Sequence, residues 1–214
     1  QALLVVERHR MLSAQRRQLG VTLIELVVTL SVLALLMFMV VPDLTSTINN
    51  ARVRSAAESM SAGLQRARME AMRSNEIVGF WVVSSNANFG LDNGCALAAN
   101  GTSWVVSRSD PTGACGDALS DTVEPRIKAK HEGGDTMALM SVAAKEADKV
   151  TDAVSIAFDG FGRIAVGTLR VVDFTSAQAD TRALRIEMTA SGVIRVCEPG
   201  IAISNTDPRR CLYS

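Results

Sequence analysis

The apolar residues of the chain are concentrated in one run over residues 21–41, where 17 of 21 positions are apolar. The polar positions within the run are Thr22, Glu25, Thr29 and Ser31. A helix of this length, rising about 1.5 Å per residue, reaches roughly 30 Å, which is the thickness of the hydrocarbon core of a membrane. The pattern predicts a transmembrane helix over residues 21–41. The alternative is a buried helix of a soluble domain, but such helices rarely run this far without charge.

Beyond Pro42 the spacing of the apolar residues becomes that of one face of a helix. These residues are Val53, Ala56, Ala57, Met60, Leu64, Ala67 and Ala71. Five arginines and two glutamates of the same segment fall largely between them. They predict a solvated opposite face, with a nucleic-acid-binding stripe as the alternative. We therefore predict one helix from about residue 22 to about residue 74, whose amphipathic continuation, residues 42–75, packs small apolar side chains against a sheet.

After Asn75 the chain changes to short runs rich in β-branched and aromatic residues, which indicate strands. The predicted strands are residues 77–83, 104–108, 126–130, 136–142, 153–158, 163–166, 169–174, 183–188 and 193–197. Residues 159–160 (Asp-Gly) and 191–192 (Ser-Gly) indicate turns, the second of which joins the last two strands as a hairpin. Residues 84–103 predict a long loop. The predicted fold class is α+β, with the long N-terminal helix packed on the antiparallel β-sheet of one domain, residues 76–214.

The segment before the apolar run, residues 1–20, carries four arginines against the carboxylate of Glu7. Positive residues at one end of a span place that end in the cytoplasm, so the domain after Pro42 is predicted on the other side of the membrane. The apolar run ends in Val-Val-Pro-Asp, which lacks the small residues of a secretory cleavage site. Met11 stands just ahead of a short basic stretch, and we predict that the natural chain starts there.

Glu25 is an ionisable residue inside the predicted span, where a charge costs up to roughly 3 kcal/mol to insert. Such a residue is a functional hypothesis that requires a partner, and the alternative is a carboxylate near the interface that reaches water. Residues 19–26, Leu-Gly-Val-Thr-Leu-Ile-Glu-Leu, resemble the type IV prepilin processing site, in which a basic leader and a glycine precede an apolar helix. That family usually has Phe or Met in place of Val21. Its helices commonly have a kinking proline where this chain has Pro42.

This resemblance implies both a processing site and an assembly site. A prepilin peptidase would cut between Gly20 and Val21 on the cytoplasmic side and would methylate the new amino group of Val21. Glu25 would then pair with the N-terminal amine of a neighbouring subunit, because a carboxylate in lipid is better tolerated beside a cation.

Two further segments resemble the GspH/FimT branch of minor pilins and pseudopilins. Residues 64–75 resemble the end of that branch's helix, and residues 158–163, Phe-Asp-Gly-Phe-Gly-Arg, resemble its mid-domain turn. The resemblance implies a pilin-like, nonenzymatic inner-membrane subunit with a periplasmic domain. It would assemble with other minor pilins or pseudopilins into a type IV pilus tip or a type II secretion pseudopilus. The tail that ends in Asp-Pro-Arg-Arg-Cys looks more like the pilus-associated FimT/FimU members.

The four cysteines are Cys95, Cys115, Cys197 and Cys211. None has the C-x-x-C spacing of a zinc or thioredoxin-like site. An even number of cysteines in an exported domain suggests disulfides, whereas four reduced thiols would require a cytoplasmic domain. Three pairings are open, and proximity along the chain favours Cys95–Cys115 and Cys197–Cys211. Each bond would stabilise the fold by roughly 2–4 kcal/mol.

No catalytic constellation emerges from the sequence. His131 lies in a polar stretch, and no G-x-S-x-G motif or phosphate-binding Gly loop accompanies it. The acidic residues spell no calcium loop. We therefore predict no enzyme, no cofactor and no metal site.

The alternative function is that of a DNA-binding competence pilin. The members of the branch that bind DNA have a Gly-Arg-x-Arg motif on the last hairpin. The corresponding residues 192–195 of this chain, which resembles them, are Gly-Val-Ile-Arg, so the first arginine of the motif is missing. Arg195, with Arg209 and Arg210 of the tail, would be the DNA ligands, since phosphate contacts depend on such side chains. A solvated, disulfide-pinned tail is the other interpretation. The chain as a whole balances 22 basic and 22 acidic residues, and removal of residues 1–20 leaves 18 basic against 21 acidic, which argues against binding of nucleic acid over the whole surface.

Overall fold

The computed structural model describes residues 20–84, 90–133, 140–178, 181–204 and 206–212, without the side chains of residues 38–44. Over these residues the chain forms one α-helix and ten β-strands. The elements are α1 (Leu23–Ser74), β1 (Val78–Ser84), β2 (Ala96–Leu97), β3 (Ser103–Ser107), β4 (Ile127–His131), β5 (Met140–Lys145), β6 (Ser155–Phe158), β7 (Ile164–Gly167), β8 (Val171–Ser176), β9 (Leu184–Met188) and β10 (Ile194–Cys197).

The chain divides into two compact units, Gln1–Pro42 and Asp43–Ser214. The first unit contains the beginning of α1, and the second contains the remainder of α1 and all of the described strands. Among the residues that the structure describes, no helix is long and apolar enough to cross a membrane.

In the second unit α1 packs one apolar face against the strands. The residues at most 1% exposed on this face are Val53, Ala57, Met60, Leu64, Ala67 and Ala71. Gly63 marks a close approach, because a Cβ there would lie 2.7 Å from Cε2 of Trp104 and 2.8 Å from Cε2 of Phe80. The helix ends where Asn75 adopts a left-handed φ of 53°, a conformation common just after a helix C-terminus.

The strands form two antiparallel sheets. The first has the order β4-β3-β1-β6-β7 with β2 also paired to β1, and the second has the order β10-β9-β8-β5. The predicted last hairpin is confirmed, since β9 and β10 pair with Ile194 opposite Met188 and Cys197 opposite Arg185. Both sheets contribute to one core with α1, in which Phe80, Phe158 and Phe174 are fully buried.

A smaller apolar cluster lies on the other face of the first sheet, because successive side chains of a strand point to opposite faces. It contains Val83, Val105 and Ile127, and it packs against the disulfide between Cys95 and Cys115. This disulfide thereby holds the long segment between β1 and β4 against the sheet.

The predicted α+β class is confirmed, and its details differ in three places. The strands form two sheets where one was expected. The predicted loop over residues 84–103 contains β2, whose two residues pair with Val83 and Ser84 of β1. The predicted strand 136–142 lies partly outside the described residues, and β5 begins at Met140 and continues to Lys145.

Candidate assembly site and C-terminal tail

The first turn of α1 is built around Thr22 and Glu25. Thr22 is the N-cap, since its backbone carbonyl accepts from the Leu26 N–H at 3.1 Å and its Oγ1 accepts from the Glu25 N–H at 3.3 Å. Glu25 thus occupies the third helical position, where a carboxylate is favoured by the partial positive charge of the helix N-terminus. Gly20 and Val21, the residues of the predicted cleavage site, are exposed immediately before this turn.

The side chains that follow the first turn are solvent-exposed and apolar. Among the described ones, Leu23, Ile24, Leu26, Val27, Val28, Leu30, Val32, Leu33, Leu35, Leu36 and Met37 are 50–83% exposed. A contiguous apolar surface of this extent marks a site of membrane or protein contact. Thr29 and Ser31 lie within this surface, and the hydroxyl group of each donates to a backbone carbonyl of the preceding turn.

The turn between β6 and β7 is held by the Asp159 carboxylate. Its Oδ1 accepts from the backbone N–H groups of Phe161 and Arg163, both at 2.9 Å, and its Oδ2 accepts from the Arg163 guanidinium. The hydrogen bond from the Arg163 N–H is the main reason that the pKa of Asp159 is lowered. The turn leaves Phe161 77% exposed.

The C-terminal tail, residues 198–212, lies alongside the end of β10 and is fastened to it. The Glu198 N–H donates to the Arg209 carbonyl at 2.8 Å, and Glu198 and Arg210 form an isolated parallel bridge. The Cys197–Cys211 disulfide joins the strand end to the tail end. Beneath it the fully buried carboxylate of Glu187 accepts from the Leu212 N–H at 2.7 Å.

The three arginines of the DNA-binding hypothesis all have partners within this tail. Nη2 of Arg195 donates to the carbonyls of Pro208 and Arg210, at 3.1 and 2.8 Å. Arg209 pairs with Glu198 at 3.1 Å and with Asp207 at 2.8 Å, and its hydrogen bonds lower the pKa of Asp207. Arg210 donates to the Ile203 carbonyl. These contacts hold the tail together, and the side chain of Arg209 remains 56% exposed.

The disulfide pairing that chain proximity favoured is the one present, Cys95–Cys115 and Cys197–Cys211. One cluster of metal-ligand type, Glu187 with Cys197 and Cys211, occurs among the described residues. Both sulfurs are bonded to each other, so neither is the thiolate that binds a metal. The cluster is therefore a disulfide beside a buried, hydrogen-bonded carboxylate.

A cleft of about 410 Å³ lies beside the last turns of α1, with Glu70 and Ile127 among its lining residues. The Arg73 guanidinium donates to both oxygens of the Glu70 carboxylate, and this hydrogen bonding holds the pKa of Glu70 below its usual value against the effect of burial. Lys128 and Asp121, which also line the cleft, form a second ion pair. The carboxylates of Glu70 and Asp121 are thus each paired with a basic side chain, as in structural ion pairs.

His131, the one histidine in the described residues, stacks on Trp104 with ring centroids 5.6 Å apart. No nucleophile or carboxylate is bonded to it among the described contacts. Its exposed position agrees with the interpretation of a lone surface histidine.

The sequence reasoning missed three residues that organise these surfaces. Thr22 was readable, because Thr-x-x-Glu before an apolar run is the signature of a helix N-cap. The exposure of Phe161 also had a local signal, because the residue follows directly on the turn that residues 159–160 predict. The burial of Glu187 had none, since it depends on a chain segment that is distant in sequence.

A long helix with an acidic first turn and an exposed apolar stretch, which then packs on an antiparallel β domain, defines a pilin-like subunit. The chain belongs to the family described as Type II transport protein GspH, whose model matches residues 56–192. A second model, described as Prokaryotic N-terminal methylation motif, matches residues 15–41.

The solved structures that resemble the chain include two crystal forms of the Pseudomonas aeruginosa (strain PAO1) type IV minor pilin FimU. The form in space group P21 has a TM-score of 0.43 and 16% identity, and the match covers 71% of this chain and 92% of that one. The form in space group P65 has a TM-score of 0.40 and 16% identity, with 71% and 97% covered. No curated protein matches the sequence.

The protein is thus a minor pilin or pseudopilin, a membrane-anchored subunit that assembles with others of its kind. The family consists of structural pilins, which are not enzymes. DNA uptake is not indicated by any of these similarities.

Proposed function

We propose that the chain is made as a precursor, processed at its N-terminus and assembled into a fibre through the first half of α1. A prepilin peptidase cuts between Gly20 and Val21 and methylates Val21, and the mature subunit joins a type IV pilus tip or a type II secretion pseudopilus. The observation that carries this proposal is the first turn of α1. There an exposed Gly20-Val21 junction precedes a capped helix with Glu25 at its third position and exposed apolar side chains beyond it.

The proposed orientation has residues 1–20 in the cytoplasm, residues 21–41 in the inner membrane and the β-rich domain in the periplasm. The four arginines of the leader support the cytoplasmic end. The two disulfides support the periplasmic end, because such bonds persist in oxidising compartments and are rare in the cytosol.

Glu25 is the proposed assembly residue, and its partner is the methylated amine of Val21 on a neighbouring subunit. In lipid a lone carboxylate is costly, and a cation from another chain removes most of that cost. Pairing between chains also sets the register of adjacent helices, because only one axial offset brings the two groups together. Pro42 is proposed as the site of a helix kink, since proline lacks the N–H that an unbroken helix requires.

The proposed assembly is tested by shearing intact cells that produce the full-length chain and separating fibres from membranes. We expect a measurable share of the chain in the fibre fraction together with other pilin-type subunits. A chain that remains wholly with the membranes, while other subunits are released as fibres, would contradict the proposal.

A further inference from the structure

We propose that the β6–β7 turn presents Phe161 as an anchor for the globular domain of the adjacent pilin-type subunit, which receives it in an apolar depression bordered by carboxylates. The inference rests on the proposed function, since it names the contact that the domain makes in the assembled fibre. It concerns the β domain alone and is separate from the pairing of Glu25.

Phe161 differs in exposure from the other phenylalanines whose side chains the structure describes. Phe80, Phe158 and Phe174 are fully buried, whereas Phe161 is 77% exposed. Two other exposed apolar side chains border the turn, Met72 at 43% and Val193 at 48%. We call Phe161, Met72 and Val193 the anchor patch.

Two glycines, one in the β6–β7 turn and one in the last hairpin, mark close approaches between the segments that carry the three residues of the anchor patch. Gly162 has a φ of 75°, and a Cβ there would lie 2.9 Å from Sδ of Met72. Gly192, next to Val193, packs so closely that its Cβ would lie 2.0 Å from the Gly162 carbonyl oxygen. The patch thus joins the end of α1, the β6–β7 turn and the last hairpin.

The turn that carries Phe161 is held rigidly from both sides. Within the turn, Asp159 accepts from two backbone N–H groups, and the Gly162 N–H donates to the Asp159 carbonyl at 2.8 Å. From outside, Nε of Arg68 on α1 donates to the Gly162 carbonyl at 2.9 Å. An aromatic side chain on a fixed backbone loses little conformational entropy when it binds, which is the property of a preorganised anchor.

The charge around Phe161 indicates the chemistry of the partner. The Arg163 guanidinium lies 5.1 Å from the ring centroid and its side chain is 63% exposed. Arg163 pairs with Asp159 within the turn, and Arg68 places a second guanidinium against the turn through its bond to the Gly162 carbonyl. Aromatic residues and arginine are the side chains enriched at the centres of protein interfaces, and guanidinium groups are complemented by carboxylates.

A protein partner fits this surface better than a lipid does. Rigid presentation of one ring strengthens binding to a pocket of fixed shape, because the backbone that carries the ring is already ordered. The family assembles with other pilin-type subunits, and the patch lies in the unit that contains the β domain. The adjacent subunit is therefore the occupant to which we commit.

The test uses the full-length chain at limiting expression, with the share in sheared fibres as the readout. We expect Phe161→Ala to lower that share about tenfold and Phe161→Leu, which keeps an apolar side chain, to lower it less than about threefold. The matched control is Val150→Ala, because Val150 is also 77% exposed but lies in the turn after β5. The control should be incorporated normally.

A photoreactive phenylalanine analogue at position 161 supplies a second readout, and it should cross-link to a pilin-type subunit in the fibre. Normal incorporation of Phe161→Ala, an equal loss with Val150→Ala, or cross-links to lipid alone would overturn the inference. The proposed function fails separately, if the wild-type chain itself is absent from the fibre. When the wild-type chain and Phe161→Ala enter the fibre equally, only the anchor is excluded.

Discussion

Replacement of Glu25 by alanine is expected to leave membrane insertion and cleavage after Gly20 intact and to remove the chain from the fibre. Insertion should not suffer, because the variant lacks a charge that costs up to roughly 3 kcal/mol in the bilayer. Assembly should fail, because the methylated amine of the neighbouring subunit would be buried without its counterion. The measurement is the share of the chain in sheared fibres beside its total amount in membranes.

Two matched variants separate the charge of Glu25 from its place in the helix cap. Glu25→Gln keeps the size of the side chain and its suitability for a capping box but lacks the charge, so it should fail to assemble as alanine does. Thr22→Ala removes the hydroxyl that accepts from the Glu25 N–H but keeps the charge, and it should still assemble. Normal assembly of Glu25→Gln would show that entry into the fibre does not depend on an ion pair made by residue 25.

Replacement of Phe80 by alanine is expected to lower the free energy of unfolding by about 3–5 kcal/mol. Phe80 is fully buried, its ring centroid lies 5.7 Å from that of Trp104, and Gly63 of α1 closes against both rings. Truncation would leave a cavity between the helix and the first sheet, which rigid neighbours cannot fill. Urea unfolding of the detergent-solubilised full chain, followed by tryptophan fluorescence, measures the effect.

The same change at an exposed position provides the control for Phe80. Phe161→Ala removes the same atoms from a ring that is 77% exposed, so its effect on unfolding should stay within about 0.5 kcal/mol. This control also shows whether Phe161→Ala still folds, so that its absence from the fibre can be attributed to a lost contact between subunits. Similar destabilisation by both variants would contradict the assigned core.

The helix and most of the strands were predictable, because each follows from the spacing of apolar residues within its own segment. The three- and four-residue spacing placed the helix end near residue 74, and α1 ends at Ser74. The predicted strand 193–197 corresponds to β10, which begins at Ile194. The two-residue strand β2 was missed, since so short a segment has no alternation, and it is a strand only because it pairs with β1.

The arrangement of the strands and much of the site depend on contacts that no local pattern encodes. The division into two sheets depends on which strands pair with each other. The periodicity of a segment predicts that it is a strand, but it does not predict which other strand it pairs with. Arg195 resembled a ligand for DNA because its motif is local, whereas its partners Pro208 and Arg210 come from the tail. Glu187 is buried by the same tail, 25 residues away at Leu212.

The N-terminus of the chain recovered from the fibre fraction tests the central claim most directly, because processing and assembly both have to occur for it to be observed there. Mass spectrometry of the N-terminal peptide should show a chain that begins at Val21 and carries an added methyl group on its amine. A fibre-bound chain that still carries residues before Val21, or that begins at another residue, would contradict the account.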